Sequence, residues 1–122
     1  MKKILIVEDD SFLRELIVKK ITKEGFEIKE AIDGPEALRK AKEERPDLIL
    51  LDLILPGVDG FTVLSQFKQD AELKDIPVLI LSNLGQKEEI KRGLDFGAVD
   101  YLVKANFTPS EIIEKIKQYL PQ

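Results

Sequence analysis

At 122 residues the chain suits one domain whose core is large enough to need no covalent staple. It has no cysteine and no histidine, which removes disulfides, thiolate metal sites and cysteine nucleophiles, and leaves no imidazole to act as general base or phosphoryl carrier. Lysine and arginine number 19 against 23 acids; the net charge of −4 offers little to a nucleic acid backbone, so no direct nucleic acid contact is expected.

Met1-Lys2-Lys3 leads into only four apolar residues, Ile4 to Val7, before three acids interrupt them. That is too short for a signal peptide, and no stretch reaches the ~20 apolar residues of a membrane span, so a cytoplasmic protein is expected. Short β-branched and leucine runs then alternate with stretches of helical periodicity, the pattern of a parallel sheet covered on both faces. Strands are predicted near residues 3 to 8, 26 to 31, 47 to 52, 76 to 81 and 99 to 103.

Ser11 to Glu24 is the first predicted helix, with Leu13, Leu16, Ile17 and Ile21 on one stripe and Arg14, Lys19, Lys20 and Lys23 directed mainly outward. The second opens at Gly34-Pro35, turns Ala37, Leu38 and Ala41 inward and stops before Pro46. Gly60 to Gln69 is the third, carrying Phe61, Val63, Leu64 and Phe67. The fourth, roughly Gln86 to Phe96, is the weakest, since Gly93 and Gly97 lower its intrinsic stability. Thr108-Pro109-Ser110-Glu111 starts the last helix with a capping box, and Ile112, Ile113, Ile116 and Leu120 face inward.

Three apolar runs end in charged groups: Ile4 to Val7 in Glu8-Asp9-Asp10, Leu48 to Leu51 in Asp52, and Tyr101 to Val103 in Lys104. Parallel strands gather such termini at one sheet edge, where folds of this kind bind ligands. Crowded carboxylates there call for a cation. Oxygen-only donors suit magnesium, and no calcium-loop spacing is present. A carboxylate beside such a cation can attack phosphorus, and Asp52, standing alone, is the better nucleophile than the adjacent pair Glu8 and Asp9. Lys104 could pair with phosphoryl oxygens and Ser82, after Val78 to Leu81, could hydrogen-bond them. Taken singly, each of these is an ordinary surface or capping residue; their joint appearance at four strand ends is the signal.

Across residues 2 to 120 the chain resembles the receiver domain of bacterial response regulators. The resemblance rests on Ile4 to Asp10, Pro46 to Asp52, Leu55-Pro56-Gly57-Val58-Asp59-Gly60, Ile80-Leu81-Ser82 and Gly97 to Lys104. It implies a flavodoxin-like (βα)5 three-layer sandwich with five parallel strands in the order 2-1-3-4-5, the order also found in a chemotaxis receiver. It also implies a single receiver domain over residues 1–122, with no output domain and no classical enzyme activity. Asp52 would accept a phosphoryl group from a histidine kinase or phosphotransfer protein and assist its own slow dephosphorylation. Mg2+, or Mn2+, would be held by Glu8, Asp9, Asp52 and the Ile54 backbone carbonyl.

Ser82 takes the place of the family's switch hydroxyl, Lys104 of its phosphate-pairing lysine and Tyr101 of its switch aromatic, which would turn inward once Ser82 moves. The output would be the face of the fourth helix, fifth strand and fifth helix, acting on a downstream protein target as a monomer or phosphorylation-dependent dimer. Phe12 on the first helix is a candidate for docking the phosphodonor or, equally, for core packing. Two departures stand out. Family members usually follow the lysine with proline, whereas Lys104 precedes Ala105, so a trans or strained loop is expected. Ile54 and Leu84 replace polar residues that help position hydrolytic water in many relatives, which implies a long-lived phosphorylated form.

Three rival readings remain. A flavodoxin-like cofactor site would meet repulsion between Glu8-Asp9-Asp10 and the cofactor phosphate. An aspartate-dependent phosphatase would resemble a pattern with a second aspartate two residues on, which Asp52-Leu53-Ile54 lacks. A receiver serving only as a phosphorylation-independent interaction module is the alternative kept.

Overall fold

A computed structural model describes residues 1–121. The strands are β1 (Lys3–Val7), β2 (Glu27–Ala31), β3 (Leu48–Leu51), β4 (Val78–Ser82) and β5 (Asp100–Val103). They alternate with helices α1 (Ser11–Lys23), α2 (Gly34–Glu44), α3 (Gly60–Gln69), α4 (Lys87–Asp95) and α5 (Pro109–Tyr119). All four strand pairings are parallel, in the order β2-β1-β3-β4-β5. The expected flavodoxin-like three-layer α/β sandwich is therefore what the chain forms.

Alternation along the strands builds both faces at once. Leu5, Val7, Ile49, Leu51, Val78, Ile80 and Tyr101 pack with residues of α2 and α3, joined by Ile90 of α4. Ile4, Ile6, Leu48, Leu50, Leu79, Leu81 and Leu102 pack with α1 and α5. Burial on both sides is why β3 is apolar throughout and β4 is apolar up to Ser82, each fully buried Leu or Ile contributing roughly 1.5–3 kcal/mol.

Local signals fix the helix starts. Asp10, Asp33 and Asp59 accept from Leu13, Glu36 and Phe61 N–H respectively. In α5, Thr108 Oγ1 accepts from Glu111 N–H at 3.2 Å while Glu111 Oε1 accepts from Thr108 N–H at 2.8 Å, the predicted capping box. Among the described residues no helix is long and apolar enough to cross a membrane.

The structure corrects several expectations. β4 begins at Val78, not near 76, because Pro77 has no N–H to give the ladder; its carbonyl still accepts from Ile49. On α1, Val18 joins the core and Leu16 instead lines a shallow surface hollow with Phe12, Glu15 and Lys19. Gly97 does not weaken α4: it lies beyond the helix, at φ +107, and ends it. Arg14 is not directed outward, and its actual contacts lie at the site. No cis peptide occurs among the described residues; Lys104–Asn106 is one turn of 3-10 helix, so the loop after Lys104 is trans.

Candidate functional site

Sheet register brings the acids together. Val7 pairs with Leu51, so the next residues, Glu8 and Asp52, emerge side by side at the carboxyl edge. The backbone keeps them there: Asp52 N–H donates to the Val7 carbonyl at 3.0 Å and Glu8 N–H to the Ala31 carbonyl at 3.0 Å. Ser82 pairs with Val103, the last residue of β5, which places Lys104 just past the strand end.

Glu8 and Asp52 are 2% and 3% exposed, an unusual burial for two carboxylates. Lys104 Nζ lies 2.9 Å from Glu8 Oε1 and 2.8 Å from Asp52 Oδ2. Ile54 N–H donates to Asp52 Oδ1 at 3.1 Å, and Asp10 N–H to Glu8 Oε2 at 3.1 Å. One ligand oxygen from each of Glu8, Asp9 and Asp52 lies within 4.8 Å of the others, and Asp9 is the exposed member. Three convergent carboxylates, with an ammonium already drawn between two of them, fit a divalent cation such as Mg2+.

The electrostatics follow from this crowding. Burial pushes the Glu8 carboxyl up to about 7, with Lys104 opposing and the Asp52 charge reinforcing the shift. Burial works against the Lys104 ammonium, yet its hydrogen bonds to Asp52 and Glu8 prevail and hold its pKa above the ordinary value.

Ser82 is fully buried, its Oγ accepting from Leu84 N–H at 3.3 Å. The Tyr101 ring is buried in this structure, and its hydroxyl donates to the Leu84 carbonyl. Gly93 makes that position available, since a Cβ there would lie 2.7 Å from Ile80 Cδ1 and 2.9 Å from Tyr101 Cδ2. Burial pushes the Tyr101 phenol up to about 12, the nearby Glu89 charge adding to the effect. Leu84 is thus clasped at both ends, by Ser82 on its N–H and by Tyr101 on its carbonyl.

Phe12 is 78% exposed and Ile54 50% exposed, so Phe12 is no core residue. Sequence reasoning missed Arg14, whose Nη1 donates to the Glu8 carbonyl at 2.7 Å and whose Nε donates to Glu30 Oε1 at 3.0 Å. A basic residue four positions beyond a strand-end acid cluster was the available signal.

Comparison with known proteins agrees with this architecture. The family model described as the response regulator receiver domain matches residues 4–117. RpaA of Synechocystis, described as a DNA-binding dual master transcriptional regulator, is 40% identical over 120 residues, which are 98% of this chain and 49% of that protein. The chain therefore spans about half the length of curated relatives it matches. The high-resolution structure of the chemotaxis response regulator CheY4 of Vibrio cholerae superposes with a TM-score of 0.90 at 31% identity, covering 98% of this chain and 99% of that one. The Mn2+-bound response regulator Rcp1 gives a TM-score of 0.88 at 28% identity over the whole of both chains. The expectation of no nucleic acid contact is not borne out by these relatives, since one of them is described as DNA-binding.

Proposed function

The chain belongs to the response regulator receiver domain family, and on that premise we propose that Asp52 is its phosphoacceptor, charged in a metal-dependent step by a histidine kinase or histidine phosphotransfer protein. One observation carries the reading: two buried carboxylates, Glu8 and Asp52, share the Lys104 ammonium beside exposed Asp9 at the carboxyl edge of the sheet. Glu8, Asp9 and Asp52, with the Ile54 carbonyl, would hold Mg2+ or Mn2+. When bound, the cation offsets the repulsion between Asp52 and the incoming phosphoryl group.

An Asp52 carboxylate oxygen attacks the phosphorus of the donor phosphohistidine. A P–O bond forms as the P–N bond breaks, and the imidazole leaves, taking its proton from water. Lys104 exchanges its contact with Asp52 for phosphoryl oxygens, and the Ser82 hydroxyl donates to another. Because Ser82 and Tyr101 both hold Leu84, a shift of Ser82 reaches the Tyr101 hydroxyl through one residue. That link supports a population shift at the face of α4, β5 and α5, read by a downstream target. Exposed Phe12 supports phosphodonor docking along α1. Apolar Ile54 and Leu84 leave no side-chain donor to orient a hydrolytic water, which supports slow dephosphorylation. The complete acid, hydroxyl and lysine set favours this over a phosphorylation-independent interaction module.

Intact mass after incubation with acetyl phosphate, with and without Mg2+, tests the reading. Phosphate uptake by the wild type that requires Mg2+ and vanishes in Asp52→Asn is expected; equal uptake by both proteins would refute Asp52 as acceptor.

A further inference from the structure

Arg14 belongs to none of the acid, hydroxyl or lysine groups just described, yet it is anchored beneath them. Its side chain is 16% exposed despite its place on the first turn of α1. The β1–β2 register ends at Val7 and Ala31, with Glu8 N–H adding one more bond to the Ala31 carbonyl. Beyond that point the Glu8 carbonyl takes its hydrogen bond from Arg14 Nη1 at 2.7 Å, while Nε of the same guanidinium holds Glu30 of β2 at 3.0 Å. A planar fork therefore ties β2 to the peptide that joins Glu8 to Asp9. On the far side of the turn, Asp10 N–H holds the Glu8 carboxylate and the Asp10 side chain caps α1.

We propose that Arg14 is a positioning residue for the acidic site: by fixing the Glu8 carbonyl it sets the Glu8 and Asp9 carboxylates at the separation a divalent cation requires. The inference rests on the metal-dependent reading above. Outer contacts that orient metal ligands typically change affinity by about 10- to 100-fold when removed. The charge of Arg14 acts in the opposite sense, because a cationic guanidinium near the site repels a divalent ion. Positioning and charge thus predict changes of opposite sign when Arg14 is neutralised.

Calorimetric titration of Mg2+ into the wild type, Arg14→Gln and Arg14→Lys separates the two effects, with urea unfolding in chelator as the stability control. Arg14→Gln should bind Mg2+ about 10-fold more weakly. Arg14→Lys keeps the charge but replaces the planar fork, whose Nε and Nη1 reach Glu30 and the Glu8 carbonyl separately, with a single ammonium nitrogen that cannot hold both partners in that geometry, and should fall between the two. A merely structural arginine would lower urea resistance and leave the Mg2+ affinity unchanged. Affinity equal to or tighter than wild type in Arg14→Gln overturns the inference, as does wild-type affinity in Arg14→Lys, which decides the matter should the glutamine variant not fold. A wild type that binds no Mg2+ overturns the metal reading and this inference with it, whereas binding by the wild type with unchanged variants overturns the inference alone.

Discussion

Buried Glu8 makes the metal-free protein's stability depend on pH in a direction opposite to most carboxylates. Its carboxyl stands at about 7 in the folded chain against an ordinary 4.5, chiefly because burial penalises the charged form. A raised folded-state pKa means that the native state holds a proton the unfolded chain has released. The contribution is therefore fully present below about pH 4.5, falls as pH rises and is lost above about pH 7. At about 1.4 kcal/mol per pH unit, the displacement amounts to roughly 3 kcal/mol. Glu8→Gln mimics the protonated acid and should lack this dependence. Urea unfolding in chelator at pH 5, 6, 7 and 8 would measure it: the two proteins should be close at pH 5, with the variant more stable by roughly 3 kcal/mol at pH 8. Adding Mg2+ at pH 8 should recover the wild type, because a cation bound only by the native state adds to its stability. A stability gap that stays constant from pH 5 to 8 would refute the reasoning.

Gly93→Ala gains helix propensity of about 1 kcal/mol but forces a Cβ to 2.7 Å from Ile80 and 2.9 Å from Tyr101. Overpacking typically costs about 1–3 kcal/mol, so a net loss of stability is expected in urea unfolding. A second readout is the Tyr101 phenol: displacement of its ring should bring its alkaline absorbance titration down from about 12. Thr108→Ala removes the acceptor for Glu111 N–H and should cost about 1 kcal/mol in thermal or urea unfolding without altering Mg2+ affinity. The phosphorylated wild type should retain its phosphate well beyond seconds, and Ile54→Asn, placing an amide at the half-exposed rim of the site, should shorten that lifetime in a timed mass measurement; loss within seconds from the wild type would contradict the role given to Ile54 and Leu84.

Much of this was legible in the chain itself. Runs such as Leu48 to Leu51 declare buried parallel strands, Gly34-Pro35 marks a helix start, and Thr108 with Glu111 spells out a capping box. Once the strands are parallel, Glu8, Asp52 and Lys104 must meet at one edge, because each follows the last residue of its run. These are short-range properties, set by side-chain periodicity and by backbone groups that need partners within one turn.

Tertiary packing decided the rest. Periodicity places α1 residues only to within one step of a boundary, so the exchange of Leu16 for Val18 in the core depended on where α5 and the sheet lie. A lysine or arginine on that boundary points wherever a partner is offered, and only the adjacent β2 offers Glu30 to Arg14 alongside the Glu8 carbonyl. Gly93 reads as a weakness in the sequence because propensity counts only the helix it sits in. In the folded molecule its missing Cβ leaves room for Ile80 and the Tyr101 ring, a requirement set by two strands outside the helix's own pattern and fixed only when the layers close.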